Sequence, residues 1–164
     1  MPTSATKNKY CFDSSVFMTG WRLHYPPNTF QPLWDKLAEL IKDGLIIVPK
    51  EVEKEMLAGD DDVKTWFKAN NDCVRAYTAE QIKVVAAIVN KYPRVSQYHK
   101  DRARHADPFV VALAKVEKAI VVTYETANGN SNNPSIVSLC KEYGVESCNM
   151  SGFFESEGLE FKIK

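Results

Sequence analysis

This 164-residue chain has seven glycines and three histidines, and no apolar run approaching the ~20 residues of a membrane span. The sparse glycine carries no phosphate-cradling GxxxxGK loop, and no serine sits in a GxSxG elbow, so P-loop and α/β-hydrolase chemistries are set aside. Cys11, Cys73, Cys140 and Cys148 lie far apart, with no CxxC pair and no Cys/His cluster at zinc-ligand spacing; they read as reduced thiols. A formal net charge of zero removes the whole-chain basic signature of a non-specific nucleic-acid coat. The opening MPTSATKNK has no apolar stretch after its lysines, so neither an export signal nor a membrane is expected, and the expected location is the cytoplasm.

What is present suits a folded globule. Hydrophobic residues make up 45% of the chain, including three Trp, eight Phe and seven Tyr, and the length is about that of one domain. Residues 1–8 are polar and small, and are expected to be a disordered tail ahead of a single domain spanning 9–164. Short apolar runs predict strands at 10–12, 45–48, 73–77, 119–123 and 145–149, with a last strand at 159–163. Helical spacing of Leu33, Trp34, Leu37, Leu40 and Ile41 predicts a helix ended by Gly44. Further helices are expected from Pro49 to Gly59, after a cap at 60–62, from Thr78 to Val89, from an Asp107 N-cap with Pro108 first, and through 136–140. A helical turn is expected around Phe153, and Pro26 and Pro27 predict a non-helical loop over residues 20–30.

Short strands that are nearly all apolar, alternating with helices, imply a three-layer α/β/α fold around a mainly parallel sheet. Such folds place sites at the carboxyl ends of the strands. Asp13 and Glu125 follow predicted strands, and Asp107 opens the helix that leads into the second of them. Of Glu51, Glu53 and Glu55, the ~100° helical step brings Glu55 nearest the inward Val52 and Met56. Carboxylates without Cys or His partners suit a hard cation such as Mg²⁺ or Mn²⁺, which relieves their mutual repulsion. Each acid also has a plainer role open to it: Asp107 as an N-cap, Asp13 as a cap or turn residue, Glu55 as a solvated charge, Glu125 as loop polarity. The conjunction carries the reading.

The segments YCFDSS, YPPNTFQPLW, IIVPKEVEKE, HADPFVVALA and VVTYE, in that order and spacing over most of the chain, resemble the PIN-domain nucleases. The resemblance is to a PIN-like branch related to VapC-type toxins. It implies a five-stranded parallel sheet with the first and fourth strands adjacent at the centre. It also implies an acidic quartet of Asp13, Glu55, Asp107 and Glu125 as catalytic metal ligands, with Ser15 and Thr123 as supporting hydroxyls. Many members carry Asp at the fourth place, where Glu125 is one methylene longer. The implied activity is Mg²⁺- or Mn²⁺-dependent endoribonuclease action by the toxin of a toxin-antitoxin pair, with an RNA substrate, a cognate antitoxin and a homodimer as partners.

The segment KYPRVSQYHKDRARH is the local basic path such a substrate needs. Lys91, Arg94, Lys100, Arg102 and Arg104, with His99 and His105, lead towards Asp107, and Tyr92 and Tyr98 offer stacking faces. Lys100, Arg102 and Arg104 are the substrate-binding candidates, against the plain alternative of a solvated interhelical loop. His24, beside Tyr25, reads as a structural or loop residue. Two other classes stand against the nuclease. A phosphatase of the haloacid-dehalogenase type needs a second Asp two residues after the first, where Ser15 stands. A non-catalytic PIN-like nucleic-acid or protein interaction module keeps the fold without turnover.

Overall fold

A computed structural model describes residues 6–59, 62–96, 98–99, 102–103 and 106–163, with the side chains of 96, 98, 99, 102 and 103 left aside. Its centre is a sheet of five parallel strands: β1 (Tyr10–Phe12), β2 (Ile46–Pro49), β3 (Val74–Arg75), β6 (Ile120–Val122) and β7 (Ser147–Cys148), in the order β3-β2-β1-β6-β7. Strand β1 lies between β2 and β6, in register Tyr10 to Ile46 and Ile120 and Cys11 to Ile47 and Val121. The first and fourth strands of the sheet are thus central neighbours. A separate antiparallel hairpin, β4 (Tyr98–His99) and β5 (Arg102–Ala103), lies in the basic connection that the sequence leaves without structure.

The three residues of β1 show why the sheet is covered on both faces. Alternation sends Cys11 one way, where its thiol reaches the Val110 carbonyl of α6 (Asp107–Glu117) at 3.7 Å. Tyr10 and Phe12 go the other way, edge-on to Phe153 of α8 (Met150–Glu157), and Phe12 also meets Phe17 of α1 (Ser14–Thr19). All three are fully buried. Tyr10 avoids the cost of a buried hydroxyl by donating to Glu157 Oε1 at 2.7 Å, while the Ser156 hydroxyl bonds the same oxygen at 2.8 Å. Truncating Phe12 would cost about 3–5 kcal/mol of stability.

Between the strands, α2 (Pro27–Lys42), α3 (Lys50–Ala58), α4 (Asp62–Ala69), α5 (Ala79–Lys91) and α7 (Ile136–Glu142) complete the layers. Gly44, at φ +75°, closes α2: its N–H reaches Ile41 O and that of Leu45 reaches Leu40 O, the paired bonds of a Schellman cap. Thr78 caps α5 by accepting from Gln81 N–H at 3.2 Å.

Three expectations are corrected. Residues 20–30 are not a loop: Gly20–His24 is π-helical, and α2 starts at Pro27, whose missing N–H costs nothing in a first turn. The proline effect falls later, at Pro32, where the helix kinks with Phe30 at φ −118°, ψ 33°. Residues 159–163 form no strand, because Gly158 turns left-handed at the end of α8 and Phe161 instead packs edge-on to Phe154. Around Phe153 the single expected turn is the full helix α8. No helix among the described residues is long and apolar enough to cross a membrane, and all four cysteines are free thiols.

Candidate active site

Asp13 is the first residue after β1. Its N–H donates to Val122 O at 3.1 Å, which locks it beside the end of β6. Extended backbone (φ −73°, ψ 150°) puts it at the N-cap of α1, yet its side chain does not cap that helix. The carboxylate is instead held by hydroxyls, Oδ2 accepting from Ser15 Oγ at 2.9 Å and from Thr123 Oγ1 at 3.0 Å. Thr123, which is buried, in turn accepts from Glu125 N–H at 3.1 Å, so one relay joins the ends of both central strands. Asp13 is 5% exposed, and burial, reinforced by the charge of Glu125, raises its pKa against the pull of those hydroxyls.

Glu55 reaches the same rim from α3, the helix that Pro49 launches at the end of β2. Its Oε2 accepts a short hydrogen bond from Ser14, and its buried Oε1 has no partner. Burial and the charges of Asp13, Glu51 and Glu125 push the carboxyl up to about 7, against the opposing pull of Ser14.

Asp107 is 4% exposed and is the first residue of α6, with Ala106 at the N-cap and Pro108 second. It is therefore not the N-cap that the sequence predicts. Asp107 and Asp13 both act on the buried Cys140, whose thiol is pushed up to about 12 by burial first and then by these two charges. Glu125 is exposed, and its Oε2 accepts from Ile136 N–H in the first turn of α7 at 3.4 Å. Among the described residues, no three Asp, Glu, His or Cys side chains converge closely enough to hold one ion. Their hydrogen bonds give the physical reason: Asp13 is turned onto Ser15 and Thr123, Glu55 onto Ser14, and Glu125 onto α7. The donor set is nonetheless all oxygen, and the orphaned Glu55 Oε1 is the kind of buried atom that a hard cation satisfies.

The basic path is redrawn. Lys91 donates to Glu142 of α7, as does Tyr92 Oη at 2.8 Å, which draws both onto α7 rather than leaving them on a path to Asp107. Arg102 is placed in β5, while Lys100 and Arg104 lie outside the described residues, as does His105. Two residues of the rim escape the sequence reading. Ser14 meets Glu55 only through tertiary packing, so no local signal marks it. Glu51, one helical turn before Glu55, has a side chain only 12% exposed and accepts from Tyr77 Oη at 2.8 Å; its i,i+4 spacing was a usable signal.

Fold and rim together define the class: a three-layer α/β/α domain whose parallel sheet carries buried carboxylates at its C-terminal edge. The chain belongs to the family described as Domain of unknown function (DUF4411), whose model matches residues 10–161. No curated protein matches it. Among solved structures it is similar to the crystal structure of VapBC2 from Rickettsia felis bound to a DNA fragment from their promoter. The TM-score is 0.51 at 13% identity, over 85% of this chain and 97% of that one, a likeness of fold.

Proposed function

We propose that this protein is a metal-dependent endoribonuclease that hydrolyses RNA phosphodiester bonds. The observation that carries the reading is a buried Glu55 oxygen without a partner, together with a buried Asp13 whose Oδ2 is held by hydroxyls alone. No lysine or arginine among the described residues pairs with Asp13 or Glu55, and both are held above their ordinary pKa. Burial of that kind lowers stability, so a functional return is the simplest reason for it. Asp13, Glu55, Asp107 and Glu125 are the residues that would hold Mg²⁺ or Mn²⁺, which supplies charge neutralisation and activation of water at a phosphodiester. Ser15 and Thr123 aim the Asp13 oxygen. Glu55, pushed up to about 7, would be the residue whose charged form a bound cation favours.

The likeness to a VapBC2 structure supports extending the reading to the toxin of a toxin-antitoxin pair, with a cognate antitoxin, a homodimer and a cytoplasmic location as further parts of it. A second reading, a PIN-like interaction module without turnover, is favoured by one observation, the failure of any three described ligand side chains to converge. One assay separates them: purified protein and Asp13→Asn incubated with RNA in Mn²⁺, Mg²⁺ or chelator. The nuclease reading expects cleavage with metal, none with chelator, and a fall on the order of 100-fold or more in the variant. Cleavage that survives chelation or the substitution sinks the metal mechanism, and no cleavage of any RNA or DNA supports the interaction module.

A further inference from the structure

Beside the acidic rim stands an aromatic pair that the metal site does not use. Tyr124 lies between Thr123 and Glu125, and the His24 ring stacks on it, with centroids 4.9 Å apart and planes at 30°. Two features show that this is a built arrangement. The first is the backbone that delivers His24: Gly20–His24 is a π-helical turn closed by Tyr25 N–H to Gly20 O at 2.7 Å. Such widened turns carry a conformational cost and recur at functional sites. The second is Tyr124 itself, whose hydroxyl is buried without a hydrogen-bond partner. Phenylalanine would fill the position without that penalty, so core stability does not account for this tyrosine.

His24 is exposed although one face of its ring is covered by Tyr124, and the neighbouring Leu23 is 70% exposed. The exposed ring also lies beside Tyr25, with centroids 6.2 Å apart and planes at 48°, so His24 extends an aromatic surface next to the residue that links Thr123 to Glu125. An unpaired base continues such a stack, whereas a base inside a duplex has both faces already occupied. We propose that His24, seated on Tyr124, is the platform on which one nucleobase of a single-stranded RNA stacks as its backbone crosses the acidic rim. The inference rests on the nuclease reading and adds to it a contact with a base. In that role His24 is a positioning residue, which binds a base and transfers no proton.

The test uses fluorescence anisotropy of a short labelled oligoadenylate in chelator, where cleavage plays no part, with wild type, His24→Ala and His24→Phe. Stacking on a single base predicts affinity about 5- to 100-fold weaker for His24→Ala and within about threefold of wild type for His24→Phe. The same RNA annealed to its complement is expected to bind all three proteins equally. Circular dichroism is expected to show one melting midpoint for all three, as befits an exposed side chain. Equal binding of wild type and His24→Ala overturns the inference, as does equal weakness of the two variants or failure of the wild type to bind the single strand. Binding that depends on His24 in a protein that cleaves nothing keeps the platform and removes the nuclease, so the two failures are distinguishable.

Discussion

Glu142 and Glu55 are both glutamates on helices flanking the same sheet, and they are treated in opposite ways. Glu142, at the end of α7, receives Lys91 and Tyr92, and those partners lower its pKa. Glu55, on α3, receives one serine hydroxyl, keeps a buried oxygen without a partner, and is pushed up to about 7. The lesson is that this chain has cations available and brings none of the described ones to Asp13 or Glu55, although Lys54 pairs with Glu51 one helical turn away. Where an acid ties two elements together, as Glu142 joins α7 to the end of α5, a lysine is supplied. Asp13 and Glu55 receive hydroxyls and no described lysine or arginine, and on the proposed function their neutralising charge would be a bound cation.

The contrast breaks most visibly if a divalent cation does nothing. Mg²⁺ or Mn²⁺ is expected to raise the melting midpoint of the wild type, with a stabilisation of about 2.7 kcal/mol at a hundredfold excess over the dissociation constant. Asp13→Asn is expected to lose most of that rise. Equal shifts in calorimetric scans of the two proteins would place the cation elsewhere.

A smaller effect tests Glu55 by pH. Its folded pKa, about 7, lies above the ordinary 4.5, so between those values the native state holds the extra proton and stability falls as pH rises. Glu55→Gln removes that fall. Metal-free denaturant titrations should show the variant gaining on the order of 1–2 kcal/mol over wild type above about pH 7, a figure reduced because the site is partly open to solvent. Little gain is expected below about pH 4.5. A variant less stable than wild type across the whole range would show that the Glu55 charge is already compensated.

The smallest effect belongs to the other glutamate, and its sign is reversed. Glu142 has a lowered pKa, so its contribution is present above about 4.5 and fades as pH falls through the folded value. Lys91→Ala should therefore lower the midpoint slightly at neutral pH and less in acid. A gain in stability from Lys91→Ala would erase the distinction between the two acids.

Much of the rim was legible before any coordinates. Asp13 and Glu125 stand after short apolar runs, and such runs in a parallel sheet put the following residues on one edge. Pro49 announced α3, and the angular step along that helix selected Glu55. The same step understated Glu51, because its partner Tyr77 comes from a segment 26 residues away. The π-helical turn at Gly20–His24 was hidden for a related reason. Local rules read two prolines as a break, whereas Trp21 packs at 4.8 Å on Trp34 and Trp34 Nε1 donates to Tyr25 O at 2.7 Å, contacts that hold the turn in place.

By itself the sequence determined the alternation of strands and helices, the ends of most of them, and the edge on which the acids would collect, since period and capping are local properties of the chain. The tertiary structure decided that Ser14 goes to Glu55, that Thr123 reaches Asp13, that Lys91 goes to Glu142, and that His24 rests on Tyr124. Those outcomes depend on side chains far apart in sequence meeting in one place. Desolvation and charge coupling, which set the character of the rim, come into being at that meeting.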